Sequence, residues 1–168
     1  MGTLDAQADR LEASTAAIIS LGPRTAVGSP WPLAKVYGTE AEASWGPPEV
    51  LAHVEEMLPF WIGEIERILD APAGESVPFG RVATDPVRIG VIGRDRTLPV
   101  RELFARIAAD GPRMAARMRE LTAAEVARQG LHPRLGVMTV ADLLDRFVLG
   151  HVEEHVVQLR ELLDAKGA

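Results

Sequence analysis

The sequence predicts an all-α protein with four long helices around one core. Three observations carry this. Four segments keep a helical apolar repeat, Gly and Pro gather between those segments, and no stretch alternates convincingly enough to anchor a sheet. At 168 residues the chain fits a single domain, 1–168, large enough to bury a real core.

The first helix is expected from Leu4 to Leu21. Thr3 is placed to cap it, Leu4, Ala8, Leu11, Thr15 and Ile18 keep helical spacing, and Gly22-Pro23 should stop it. The stretch from Gly22 to Gly46 reads as a Gly- and Pro-rich loop, pinned to the bundle by Trp31 and Tyr37, although Trp31 between two prolines would also suit the rim of a pocket. A second helix starts at Pro47-Pro48, residues suited to a first turn, and runs to about Asp70. Its stripe is Val50, Val54, Met57, Trp61, Ile65 and Ile68, with His53 beside Val50 and Met57. Pro59 should kink it or thin its hydrogen bonding.

Ala71 to Pro99 is a long connection in which Val87, Ile89 and Val91 alternate and suggest one short extended piece. Its length suits a crossover between neighbouring parallel helices, a span of roughly 30 Å. The third helix, Val100 to about Leu121, carries Leu103, Phe104, Ile107, Met114, Met118 and Leu121, with a bend expected at Gly111-Pro112. Thr122 to Gln129 reads as a short helical turn and Gly130 to Met138 as a loop.

The fourth helix, Thr139 to Asp164, draws the most chemistry. Thr139 with Asp142 forms a capping box, and Val140, Leu144, Phe147, Val148, His151, His155, Leu159 and Leu162 share a stripe roughly 120° wide. His151 and His155, one turn apart on that stripe, can aim two ring nitrogens at one point, being separated by about 6 Å along the axis. An isolated core histidine usually serves only its own hydrogen bond; two on one apolar stripe suggest metal ligands. His53 occupies a core face of the second helix, but the sequence does not fix the register between the two helices. Three neutral imidazoles on one ion would leave positions open for water or substrate, unlike a closed structural site.

The totals restrict the alternatives. With no cysteine, disulfides and thiolate sites are excluded, so a metal must be held by His and carboxylate. Net charge is −6 with Lys and Arg dispersed, which gives no footprint for nucleic acid or an anionic membrane. The N-terminal MGTLDAQADR lacks the layout of a signal peptide, and no apolar run approaches the roughly 20 residues of a membrane span. The expectation is a soluble, cytoplasmic protein acting on a small molecule.

The segments WGPPEVLAHVEEM (Trp45 to Met57) and HPRLGVMTVADLLDRFVLGHVEEHVVQL (His132 to Leu159) resemble the second-helix signature and the His-Pro-x-x-Gly turn with H-x-x-x-H helix of the DinB-like superfamily. The resemblance implies a four-helix bundle of up-down-down-up order, with a long crossover between its second and third helices. It also implies a divalent metal held by His53, His151 and His155. Members include bacillithiol S-transferases and mycothiol-dependent maleylpyruvate isomerase, so it implies a thiol-dependent transferase or isomerase. Zn²⁺ and Ni²⁺ both accept three histidines, and a chain without cysteine would take its low-molecular-weight thiol from a cofactor. The competing expectation is a non-catalytic, stress-related metal-binding bundle acting as a homodimer.

The other polar residues near these motifs are read more plainly. His132, before Pro133, is expected to serve the turn. The string His151 to His155 fits H-x-x-E-H, but the required acid well downstream is missing. Glu153 and Glu154 are expected to be solvated, Glu56 is the acid best placed to approach the site, and Glu64 lies too far along its helix. Arg81, Arg88, Arg94 and Arg96 are expected in a solvated loop, where they would also suit an acidic substrate.

Overall fold

The computed structural model describes residues 2–36, 41–72 and 74–167. They are mainly helical, with a small three-stranded sheet. Helices α1 (Gly2–Ser20), α3 (Pro47–Asp70) and α5 (Val100–Glu120) match three of the expected long segments. The fourth is compound: α7 (Val140–Leu143), a π-helical stretch (Leu144–Gly150) and α8 (His151–Lys166) follow without a break. Short helices α2 (Gly22–Val27), α4 (Pro86–Asp95) and α6 (Ala123–Val126), and a 3₁₀ turn (Ala41–Ser44), lie between the long ones.

The long helices hold together through the stripes seen in the sequence. Ala8, Leu11, Thr15 and Ile18 of α1 are buried, as are Leu103, Ile107, Met114 and Met118 of α5. Gly111 allows close approach of these two helices, because a Cβ there would meet Thr15 Oγ1 at 2.8 Å. The chain passes through Pro59 and Gly111-Pro112 in helical conformation. From Pro47 to Leu58, α3 is buried on every side, not only along its stripe. That places His53 in the interior.

Arginine–carboxylate pairs fix the registers. Arg119 of α5 pairs with Asp9 at 2.6 Å and Glu12 at 2.9 Å on α1. Arg106 and Arg117 pair with Glu55 at 2.9 Å and Glu66 at 2.5 Å on α3. Arg10 reaches Glu153 at 3.0 Å, and Arg24 reaches Asp164 at 2.6 Å. Each exposed pair adds little energy, but together they specify which turns face each other.

Four expectations are corrected. First, Gly22-Pro23 does not end the helical path: after one turn residue, Pro23 occupies the first turn of α2. Trp31 is pinned, its Nε1 donating to the Thr25 carbonyl at 2.9 Å, and it also lines a cavity of about 520 Å³ with Trp45 and Leu162; Tyr37 lies outside the described residues.

Second, Val87, Ile89 and Val91 belong to a helix, α4, and not to an extended piece. Asp85 caps it, accepting from the Val87 and Arg88 amides at 3.0 Å each, and Pro86 pre-sets the first turn. Ile89 and Ile92 then share the buried face.

Third, the expected loop Gly130 to Met138 is largely a hairpin. Strand β1 (Val77–Pro78) pairs in parallel with β2 (Gln129–His132), which pairs antiparallel with β3 (Gly136–Thr139). Its inward positions are Gly130, His132 and Met138, while Leu131 and Val137 face outward. The apolar pattern is therefore inverted relative to an ordinary half-buried strand.

Fourth, the last helix does not keep a uniform 3.6 repeat. Val140, Leu144, Val148, Val152 and Val156 are all buried, a repeat of four that the wider π turns accommodate. The buried stripe consequently ends on Leu163, with Leu162 only partly covered. The capping box at its start stands as expected, Thr139 Oγ1 accepting from the Asp142 amide at 3.0 Å and Asp142 from the Thr139 amide at 2.9 Å. Among the described residues no helix is long and apolar enough to cross a membrane.

Candidate metal centre

His53 from the buried half of α3 and His151 and His155 from α8 converge. The Nε2 atoms of His53 and His151 are 2.9 Å apart, and those of His151 and His155 are 3.2 Å apart. One ligand atom of each residue lies within 4.8 Å of the others, so the three could hold a metal ion. His53 and His155 are buried and His151 is partly open to solvent.

The remaining ring nitrogens decide what the three Nε2 atoms present. His151 Nδ1 faces Glu154 at 3.2 Å, and an ionised carboxylate only accepts, so Nδ1 carries the proton. His155 Nδ1 faces Gln158 Oε1 at 2.9 Å, while the Gln158 amide donates to the Glu42 carbonyl at 2.7 Å and so fixes the orientation of the side chain. His53 Nε2 faces an Arg88 nitrogen at 3.3 Å, and a guanidinium only donates. His151 and His155 therefore each present an Nε2 lone pair, while the Nε2 of His53 faces both His151 and the Arg88 guanidinium. Such a cluster is stabilised by a cation held among the lone pairs.

Two of the three spacings agree with that donor set. Two nitrogens on a tetrahedral ion at ordinary metal–nitrogen lengths would lie about 3.3 Å apart. The observed 2.9 and 3.2 Å are close to this. Oxygen partners on the distal ring nitrogens are also the usual support of histidine ligands. His53 is the exception: its Nδ1 is 3.9 Å from Glu56, too long for a hydrogen bond, and has no closer acceptor among the described residues.

Burial keeps His53 and His155 neutral. Desolvation, followed by the neighbouring His155 and Arg88, drives the His53 pKa well below the usual histidine value. Desolvation and His151 push His155 down to about 4, against the Gln158 hydrogen bond that favours its charged form.

The surroundings correct the expectation of a solvated arginine loop. Arg88 is buried, bonded to Glu42 and to the Ala83 carbonyl at 2.8 Å. Arg81 stacks on Phe60 at 3.7 Å and pairs with Glu56 at 2.5 Å, so Glu56 does approach the site, through Arg81. Arg96 reaches inward to Glu49 at 3.1 Å, and exposed Arg94 pairs with Asp95 at 2.5 Å. A cavity of about 240 Å³ opens onto His53 and His151, walled by Trp61, Phe147, Arg81, Arg88 and Glu42.

Glu153 bonds Arg10, and Glu154 touches His151 although its side chain is largely exposed, so neither acid is merely solvated. Glu64 serves elsewhere, accepting from Arg67 and from the Gly80 amide. His132 is indeed a turn residue: its Nδ1 accepts from the Arg134 and Leu135 amides at 3.3 Å each. Its ring is buried and stacked on Phe147 at 5.0 Å. Of the residues around the histidines, Gln158, Trp61 and Glu42 carry no site expectation from the sequence, and Arg88 only that of meeting an acidic substrate. Gln158 follows His155 by three residues, a spacing that was readable in the sequence.

Comparison with protein-family models, curated proteins and solved structures gave no match.

Proposed function

We propose that the protein is a divalent-metal-dependent enzyme of the thiol-cofactor-dependent S-transferase or isomerase kind, as the DinB-like resemblance implies. The observation that carries this reading is the convergence of three histidines, two of which, His53 and His151, line an open cavity. The proposal includes a four-helix bundle in up-down-down-up order. Ion pairs support it: Arg119 meets the first half of α1, so α5 runs against α1, whereas Glu55–Arg106 and Glu66–Arg117 step along α3 and α5 in the same direction.

A Zn²⁺ or Ni²⁺ ion on these histidines would supply Lewis acidity and lower the pKa of a thiol or water near neutral pH. His53, His151 and His155 would hold it through nitrogen donors that bring no negative charge, and so would leave the ion its full charge. Glu154 and Gln158 orient two of the rings. Arg81 and Arg88 line the cavity, paired with Glu56 and Glu42. Trp61 and Phe147, stacked at 4.7 Å, provide an apolar wall.

The test is metal analysis of the purified full-length protein, followed by thiol consumption with an added electrophile. Bound Zn²⁺ or Ni²⁺ with metal-dependent thiol loss is expected, and metal-loaded protein without thiol turnover would remove the enzyme reading. The second reading, a non-catalytic metal-binding homodimer, draws on the exposed Leu131, Leu135 and Val137 of the hairpin. Sedimentation of the metal-loaded protein distinguishes it.

A further inference from the structure

Phe147 lines two cavities. One is the histidine cavity; the other, of about 320 Å³, is lined by His132, Arg134, Leu135 and Arg146. Arg81, Val82, Ala83 and Phe147 line both, so the two spaces adjoin along these four residues. Together they match the size of a small-molecule pocket.

The second cavity is cationic. Arg134 comes from the hairpin turn, Arg146 from the π-helical stretch, and Arg81 from the connection before α4, while no carboxylate lines the space. Elsewhere Arg10, Arg117 and Arg119 each clasp an acid. Among the described residues, neither Arg134 nor Arg146 has its guanidinium in an ion pair with a carboxylate. Burial chiefly lowers the pKa of the adjacent His132, and the positive charges of Arg146 and Arg134 add to that. In a chain of net charge −6, this is a local reversal of sign at the mouth of a cavity.

We propose that Arg134 and Arg146 form an anion subsite, which takes the carboxylate or phosphate group of a small ligand whose other end passes Phe147 into the histidine cavity. A guanidinium presents paired donors that match either oxyanion. The placement rests on the metal-centre reading only for what the far end of the ligand does; the anion subsite itself requires no metal.

The experiment is an NMR titration of metal-free, full-length protein with orthophosphate and, separately, with succinate. Saturable shifts are expected at the amides of Arg134, Leu135 and Arg146, weakening as salt is added. The tighter probe identifies the oxyanion. Arg134→Gln/Arg146→Gln should weaken binding roughly tenfold or more, since each guanidinium gives a charge-assisted hydrogen bond, and Arg134→Lys/Arg146→Lys should retain much of it. Both residues are exposed, so the fold should survive these changes. Absence of saturable shifts with both probes, or equal affinity in the Gln variant, would overturn the proposal. His151→Ala separates the two claims: retained anion binding supports this subsite even if the metal reading fails.

Discussion

His53 and His151, on different helices and 98 residues apart, bring their Nε2 atoms to 2.9 Å. His151 Nδ1 contacts Glu154 and leaves its Nε2 lone pair facing His53, whose Nε2 lone pair faces the Arg88 guanidinium as well, so two acceptor nitrogens are in conflict. A cation between them removes the conflict. A proton could play that role too, but desolvation opposes it, as the depressed His53 and His155 pKa values record.

That balance makes the metal-free protein acid-sensitive. Both buried histidines titrate below their unfolded value near 6.5, His155 at about 4. Between these limits the unfolded chain binds more protons, so stability falls as pH drops through that window, by on the order of a few kcal/mol. Glu55 and Glu56, raised by burial against their Arg106 and Arg81 partners, act in the opposite sense: they lose stability as pH rises from about 4.5. Urea unfolding at pH 7.5, 6 and 5 should show the histidine trend, and His53→Phe should flatten it.

Arg88 is expected to show opposite effects on stability and metal binding. Replacing it by Met removes bonds to Glu42 and Ala83, so stability should fall by roughly 1–3 kcal/mol. The same change removes a fixed positive charge 3.3 Å from His53 Nε2. Metal affinity should therefore rise several-fold. Unchanged stability together with weakened metal binding would contradict this account of Arg88.

Two glycines should respond with opposite sign. Gly80 has φ +74°, and a Cβ there would lie 2.6 Å from the His132 ring, so Gly80→Ala should destabilise by at least about 1 kcal/mol. Gly63 is helical and exposed, with nothing within 4 Å of a Cβ; Gly63→Ala should stabilise by roughly 0.5–1 kcal/mol. Thermal melting of the two variants would check both signs.

These residues also show what was legible beforehand. The bounds of α3, the capping box of Thr139 with Asp142 and the core-facing placement of the histidines follow from local pattern, because helical spacing and capping need only neighbouring residues. The misread stretch at Val87 to Val91 held a sufficient signal in Asp85-Pro86, whose capping and first-turn chemistry outweighs three alternating β-branched residues. The hairpin had no such signal. Its inward face is a glycine, a histidine and a methionine, and its apolar residues point outward. The π-helical stretch and the partners of Arg88 depend on packing between distant segments, which no local spacing records.

Isothermal titration with Zn²⁺ and with Ni²⁺ tests the central claim most directly. His53→Ala, His151→Ala and His155→Ala should each weaken binding by on the order of a hundredfold, since each removes one of three ligands. His132→Ala, whose ring only braces the hairpin turn and Phe147, should bind as the parent does. If His53→Ala retains the parent affinity, α3 contributes no ligand, and the convergence of His53 with His151 and His155 is not a metal centre.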